Sequence, residues 1–422
     1  MANPSRASSP SVRARASNSA LAPLREPLFR SLWIAAVISY IGKWMQMVGA
    51  AWLMTQLTTS PFMVGLVQAS IMLPVFLVII PAGALADMVD RRRFLLTTQV
   101  WMVASAGGLG ILTLLGHVTP WLLVLFTLLL GLGAVINDPA WQAITPEVAS
   151  PENHATAVAL NSAAFNIARA VGPALGGLII AATNSGVAFL MNAAGFSGVI
   201  LFLYGWKRPR SERADAGRIT ESLRSGLRYV RSAPLVHCVL IRTAAFSVAA
   251  SSLLALLPVI AHPYGASGYG LLLGFFGVGA LAGAGLLPHL RMRQTVDGLI
   301  AGAIVLFALT TLASGRLQSF AWLSIVLFFA GAAWISIVAC LNVAAQTMTP
   351  SWMRARAISV YLLVLQGGMA LGSAGWGALA TKLGVASTML CSAAALIVGL
   401  AAVRRYRITL TETQLTPSVG AD

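Results

Sequence analysis

Four ionisable side chains lie inside long apolar stretches of this 422-residue sequence: Lys43, Asp138, Arg169 and Arg242. An ionised side chain at the centre of a bilayer costs about 2.5–3.5 kcal/mol on insertion scales, so each one needs a polar partner or a function. Lys43 and Arg169 lie too deep in their stretches to reach a membrane surface easily. Two cations at such depth would attract an anionic or acid-bearing molecule.

Arg242 and Asp138 each allow two interpretations. Arg242 lies about two helical turns from the end of its stretch, so it could extend to the membrane surface or face a polar cavity. Asp138 could bind and release a proton, because a carboxyl in apolar surroundings readily accepts one. Alternatively, Asp138 lies near the end of its stretch, close to the loop that carries Arg91, and could pair with that arginine as a gate. We favour the gate.

Amide side chains at membrane depth are a further group of candidates for a substrate or proton pathway. In a membrane interior, such amides either form hydrogen bonds between helices or line a wet cavity, and the sequence leaves both open. The candidates are Gln46, Asn166, Asn342, Gln346 and Gln366.

Other kinds of chemistry find no support in the residue pattern. The sequence has no Gly-x-x-x-x-Gly-Lys-Ser/Thr phosphate loop and no His-Glu-x-x-His motif. Its three cysteines fall in three different apolar stretches, which argues against a disulfide framework or metal cluster. We therefore expect no cofactor, no metal and no enzymatic activity, and energy from an ion gradient.

The elements that must position these residues are membrane helices. The chain is 58% hydrophobic and 9% charged, whereas soluble domains carry about 25% charged residues. Twelve apolar runs reach the length of roughly 20 residues that a bilayer requires. The predicted fold is all-α, with a tail at residues 1–27, six helices in 28–205, a linker at 206–233, six helices in 234–405 and a tail at 406–422.

The placement of basic residues predicts the orientation of the helices. Of the 28 lysines and arginines, 23 lie in the tails, the linker or loops on the same side of the predicted membrane. Because cytoplasmic loops are enriched in lysine and arginine, we expect both termini to be cytoplasmic. The net charge of +16 does not indicate nucleic-acid binding, because these residues are spread over loops and not gathered on one face.

The two sets of six helices look like copies of one unit. Gly83 and Arg91 recur 200 residues later as Gly283 and Arg291, and Gly172 recurs as Gly372. Because six is even, both copies enter from the same side, so the repeats are parallel and related by an axis along the membrane normal.

The loop after the second helix carries a family resemblance. The major facilitator superfamily has the pattern Gly-x-x-x-Asp-Arg/Lys-x-Gly-Arg-Arg/Lys-Arg/Lys in this loop. Five residues of the chain match it: Gly83, Asp87, Arg91, Arg92 and Arg93. Two depart from it, Met88 and Asp90. With the two six-helix halves, the chain resembles this superfamily over about residues 25–405. It looks like the branch of enterobactin exporters and drug–proton antiporters. The resemblance implies that the loop takes part in gating.

A second motif resembles the antiporter signature Gly-Pro-x-x-Gly-Gly. It comprises Gly172, Pro173, Gly176 and Gly177 in the fifth helix. Small residues at this spacing let helix backbones approach closely, and proline allows a bend. The resemblance implies export and a place for this helix between the halves. It also implies that Lys43 and Arg169 face a central cavity, because the first and fifth helices line it in that fold.

The sequence therefore predicts a secondary active exporter of a small amphipathic or anionic organic molecule such as a drug, siderophore or metabolite. Proton antiport with alternating access is the expected mechanism. The expected partners are the substrate, protons and the lipid of a bacterial inner membrane, with a monomeric chain and no nucleic acid. An importer or uniporter of the same fold is the alternative, and a non-transporting receptor or membrane-embedded enzyme is the alternative from another class.

Overall fold

The computed structural model describes residues 21–88, 90–206, 234–350 and 354–405. Twelve helices in these ranges are long and apolar enough to cross a membrane. Their bounds are α1 Pro27–Leu57, α2 Pro61–Met88, α3 Arg91–Leu114, α4 Pro120–Val148, α5 His154–Ala182, α6 Ser185–Gly205, α7 Pro234–Ile260, α8 Gly265–Arg293, α9 Val296–Ser314, α10 Phe320–Thr347, α11 Arg354–Leu383 and α12 Val385–Ala402. This confirms the all-α prediction. The predicted linker apart from Trp206, most of the predicted N-terminal tail and all of the predicted C-terminal tail lie outside the described residues.

The helix ends follow local chemistry. Prolines begin α1, α2 and α4, because the first helical position needs no amide donor and suits the fixed φ of proline. Side chains of Thr119, Asn184 and Thr295 accept hydrogen bonds from the first turns of α4, α6 and α9. These N-caps satisfy amides that the helix itself leaves unpaired.

Helix packing repeats between the N-half (α1–α6) and the C-half (α7–α12). In the N-half, α1 packs on α5 and α6, α2 on α4, and α3 on α6. The C-half repeats each pair six helices later: α7 on α11 and α12, α8 on α10, and α9 on α12. The structure thus contains the two parallel six-helix repeats that the residue offsets predict.

The two halves meet through α2 with α11 and α5 with α8. Glycines make this approach possible, because a Cβ on Gly65 would lie 2.4 Å from the carbonyl oxygen of Ser373, and one on Gly177 would lie 2.6 Å from that of Ala266. Both contacts lie at the membrane side opposite to the start of α1, hereafter the opposite side. The side where α1 begins and α12 ends is the terminal side.

Candidate functional site

A cavity of about 310 Å³ lies roughly halfway along the helices of the N-half. All six helices of the N-half contribute residues to its lining, and Gln366 on α11 is the one contribution from the described part of the C-half. The cavity therefore belongs almost wholly to one repeat, although a residue of the other repeat reaches its wall.

Lys43 and Asp138 are the charged residues among the described residues of the cavity wall. Lys43 Nζ lies 3.9 Å from Asp138 Oδ2, and the two side chains are 47% and 52% exposed. The charges offset one another, yet both remain accessible from the cavity. The favoured sequence interpretation pairs Asp138 with Arg91 as a gate and does not anticipate Lys43 as its neighbour. The Arg91 side chain lies outside what the structure describes, so the gate stays a prediction.

Buried amides and a hydroxyl form a polar layer beside this pair. Thr98 and Gln99 on α3 both donate to Asn137 Oδ1 on α4, at 3.0 and 3.2 Å. Gln46 on α1 accepts from Asn192 Nδ2 on α6 at 3.4 Å. Of these residues, the sequence analysis selects Gln46 as a candidate and misses Gln99 and Asn192.

Aromatic rings form another part of the wall. Tyr40 and Phe165 meet edge to face at 5.4 Å, and Trp44 lies 6.2 Å from Phe165. Trp141 Nε1 donates to the Tyr40 hydroxyl at 3.0 Å, and that hydroxyl donates to Asn161 Oδ1. The hydrogen bonds fix the Tyr40 ring between α4 and α5, so the wall offers a rigid apolar surface.

Arg169 does not join Lys43 in the cavity wall, contrary to expectation. It is half-buried on α5, one turn beyond Phe165, but it is not among the residues that line the cavity. Its backbone contacts the other half: Pro173 has no amide to donate to the Arg169 carbonyl, and that oxygen lies 3.2 Å from a Cβ built on Gly277 of α8. This turn of α5 therefore belongs to the contact between the halves.

Arg242 lies in the C-half, away from this cavity. Its guanidinium forms an ion pair with Asp297, which is in the first turn of α9. The arginine is buried, and because α9 begins at the terminal side, its guanidinium extends toward that end of the helices. Neither sequence interpretation includes this pairing, because Asp297 lies 55 residues further along the chain.

Three further amide candidates bond within their own helices. Asn166 Nδ2 donates to the carbonyl of Ser162 at 2.9 Å, and Gln346 donates to Asn342 one turn earlier in α10. None of Asn166, Asn342 and Gln346 is part of the cavity wall. Of the amide candidates, Gln46 and Gln366 are therefore the ones placed to meet a ligand in this cavity.

Two described side chains of the charged loop after α2 form hydrogen bonds at helix ends. Asp90 Oδ1 accepts the Arg93 amide at 2.9 Å and caps α3, which gives a structural reason for the acid that departs from the family pattern. Arg92 donates to the carbonyls of Leu203 and Tyr204 and so satisfies the end of α6. The side chains of Asp87 and Arg91 and the surroundings of Gly83 lie outside what the structure describes.

The glycine-proline motif of α5 makes close contacts on two sides. A Cβ on Gly172 would lie 2.7 Å from Trp44 Cβ, and one on Gly176 would lie 2.9 Å from Met45 Cα, both on α1. Gly177 faces α8, and Pro173 O lies 2.5 Å from a Cβ built on Gly270. Between the halves, α5 thus contacts the cavity helix α1 and the C-half at once.

Aromatic stacking adds to the contact between the halves at the opposite side. His262 and Tyr269 stack on Trp52 of α1, with ring centroids 5.6 and 6.5 Å away. Phe62 also donates its amide to Thr381 Oγ1 at 3.2 Å. Among the described residues, the close glycine contacts between halves extend from this side to mid-membrane, where Gly277 meets Ala170 and Gly367 meets Phe76.

Glu26 forms a polar cluster at the terminal side, just before α1. Its carboxylate accepts from the Ser150 amide and hydroxyl and from Asn153 Nδ2, at 3.0, 2.7 and 2.7 Å. Burial by itself would raise the pKa of Glu26, but these hydrogen bonds outweigh it and lower the pKa. The cluster ties the start of α1 to the connection between α4 and α5.

Two repeats of six membrane helices, with a polar cavity at mid-depth in one of them, are typical of transporters of the major facilitator superfamily. The chain belongs to the transmembrane secretion effector family (MFS_3), whose model matches residues 18–420. It is therefore a multi-pass membrane protein and a transporter of small molecules, and not an enzyme.

Individual relatives extend this assignment. The chain is 27% identical over 416 residues to the enterobactin exporter EntS of Escherichia coli O157:H7, a match covering 93% of this chain and 96% of EntS. It is 27% identical over 160 residues to the staphyloferrin A transporter of Staphylococcus aureus, covering 38% of this chain and 40% of that one.

Solved structures share the fold at low sequence identity. A bacterial homolog of the human lysosomal transporter Spinster, in an inward-facing and occupied conformation, matches with a TM-score of 0.71 at 14% identity and covers 91% of this chain and 97% of its own. The nucleoside transporter NupG matches with a TM-score of 0.68 at 14% identity, over 90% of this chain and 98% of its own.

Proposed function

We propose that this protein is a secondary active exporter that moves a small amphipathic organic molecule out of the bacterial cytoplasm by proton antiport. The Lys43–Asp138 pair carries the proposal, because it places an accessible cation and carboxylate side by side in a cavity at mid-depth. A ligand with a cationic group competes with a proton for the Asp138 carboxylate, so ligand and proton bind there in turn, as antiport requires.

The contacts between the halves support alternating access around this cavity. The halves pack closely from the opposite side to mid-membrane, through Gly65, Gly177 and the stack on Trp52. We assign the opposite side to the exterior and both termini to the cytoplasm of the inner membrane, because loops on the terminal side carry most of the arginines. The structure then corresponds to an inward-facing state.

The direction of transport is supported by the glycine-proline motif of α5 and by the similarity to an exporter over nearly the whole chain. In the proposal, Gly172, Pro173, Gly176 and Gly177 allow α5 to shift against α1 and α8 as the halves rock. In the proposal, the loop after α2 takes part in gating at the cytoplasmic end, where the halves must separate and close, through Asp87, Arg91, Arg92 and Arg93.

The proposal is tested by substrate-induced pH changes in membrane vesicles. A compound is first selected by its accumulation in a strain lacking the transporter. When this compound is added to inverted vesicles with an imposed proton gradient, vesicles that contain the wild-type protein should release protons from their lumen. Vesicles that contain the Asp138→Asn variant should not. Proton movement of the opposite sign would indicate symport, and transport without proton movement would indicate uniport. Either outcome would refute antiport.

A further inference from the structure

Among the described residues, the cavity wall has no excess charge of either sign. Lys43 and Asp138 are its cation and its carboxylate, and their charges cancel. The sequence favours an anionic ligand because it places Arg169 beside Lys43, but Arg169 is not part of the wall. A polyanion would therefore meet a single cation that already has a carboxylate 3.9 Å away.

Several polar atoms of the wall residues are buried without a hydrogen-bond partner. Trp44 Nε1 is a donor of this kind and Gln99 Oε1 is an acceptor. In the Gln46–Asn192 pair, one further amide nitrogen and one amide oxygen are unpaired, and turning both amides over would leave the same balance. Because unpaired buried polar atoms are costly, a ligand with both donors and acceptors would be favoured if these side chains turn toward the cavity.

The aromatic rings set a third requirement. Trp44 and Phe165 lie beside the charge pair on α1 and α5, and Trp44 is itself one residue from Lys43. Such rings pack well against another ring, in offset or edge-to-face geometry. A cavity of about 310 Å³ admits a small ligand with one ring and short polar substituents.

We infer that the cavity selects an aromatic zwitterion, whose acidic group binds Lys43 and whose ammonium group binds Asp138. A simple anion that pairs with Lys43 leaves Asp138 without its partner, and a simple cation leaves Lys43 alone. A zwitterion pairs with both and leaves neither charge without a partner. This substrate class rests on the proposed transport function and narrows it.

Equilibrium binding to the purified full chain in lipid nanodiscs tests the inference, with three probes that share one ring. Tryptophan is the zwitterion, indole-3-propionate the anion and tryptamine the cation. By isothermal titration calorimetry, tryptophan should bind about tenfold more tightly than either ion, the factor expected for one charge-assisted hydrogen bond. Equal or tighter binding of either ion, or no saturable binding of tryptophan, would overturn the inference.

Two variants assign the charges, and a third serves as the control. Lys43→Gln should weaken tryptophan and indole-3-propionate and spare tryptamine, whereas Asp138→Asn should weaken tryptophan and tryptamine and spare indole-3-propionate. Lys382→Gln, at the opposite side and outside the wall, should change none of them. Binding needs no transport, so a correct probe order with no proton movement in vesicles would refute antiport and leave the substrate class standing.

Discussion

The ammonium nitrogen of Lys43 on α1 lies 3.9 Å from a carboxylate oxygen of Asp138 on α4, and about half of each side chain is exposed. The pair joins two helices of one repeat and lines the cavity near the middle of the membrane. A fully buried pair would be a structural tie, whereas this one is open to a third partner. The proposed coupling of substrate and proton depends on that openness.

Removing either charge of this pair should disable transport. We expect Lys43→Gln and Asp138→Asn each to lower the transport rate at least about tenfold, because each loses a charged contact to the ligand or the proton. The double variant should lose much less than the product of the two effects, since residues in direct contact are coupled. A double-mutant cycle on initial transport rates measures this. Multiplicative effects would show that the two residues act independently.

The contact between α5 and α8 should tolerate no added methyl group at Gly177. Its Cβ would lie 2.6 Å from Ala266 O and 2.8 Å from Gly270 Cα, so Gly177→Ala forces the halves apart at the opposite side. We expect the substitution to lower the free energy of unfolding by about 1–3 kcal/mol, because it disturbs this close packing. Gly285→Ala on α8 is the matched control, because nothing lies within 4 Å of its Cβ.

Thermal unfolding in detergent compares the two glycine variants. Gly177→Ala should melt at a lower temperature than wild type. Gly285→Ala should melt at the same temperature as wild type or a higher one, because alanine has a higher helix propensity than glycine. Equal melting of both variants would show that the close approach of α5 and α8 is unimportant for stability.

The twelve helices and the duplicated architecture could be predicted from the sequence because bilayer thickness fixes helix length and internal offsets reveal a repeat. The face that each helix turns toward the cavity could not be predicted in this way. Membrane helices are apolar all round, so hydrophobic periodicity does not separate the cavity side from the lipid side. Gln46 and Gln366 therefore looked no different from Asn342 and Gln346, which bond within α10.

Depth in the membrane predicted the need for a partner but not its identity. Lys43 and Asp138 are 95 residues apart, and Arg242 pairs with Asp297, so each partner comes from a non-adjacent helix. Such pairs arise from helix packing, which single-sequence patterns do not encode. Arg169 shows the converse, since its depth suggested the cavity and its backbone belongs to the α8 contact.

Asp90 should act as a helix cap and not as a specific charge. Its carboxylate accepts the Arg93 amide at the start of α3. Replacement by alanine should cost about 1 kcal/mol, whereas Asp90→Asn, which can cap equally well, should cost almost nothing. Melting temperatures of the two variants measure this. A similar loss in both would indicate that the negative charge itself is required.

The Glu26 cluster at the terminal side should make the stability of the folded protein depend on pH. Because hydrogen bonds lower the pKa of Glu26 below its usual 4.5, its contribution is present above that pH and is lost as pH falls through the lowered value. Glu26→Gln should cost about 1 kcal/mol at pH 7, the net value of one hydrogen bond. The difference from wild type should shrink on acidification below pH 4.5, as followed by melting temperature. A difference that is constant with pH would rule out this linkage.

Access to the cavity from both sides of the membrane is the most direct test of the transport mechanism. In a chain whose Cys238, Cys340 and Cys391 are replaced by serine, Ser39→Cys places one thiol in the cavity wall. Thr59→Cys and Glu152→Cys, exposed at the opposite and terminal sides, are the one-sided controls.

A membrane-impermeant maleimide applied to right-side-out and inverted vesicles then reports accessibility. Alternating access predicts that Ser39→Cys is labelled in both vesicle orientations, more rapidly from the cytoplasm, while each control is labelled in one orientation only. Labelling of Ser39→Cys from a single side, with both controls behaving as expected, would contradict alternating access around the Lys43–Asp138 cavity.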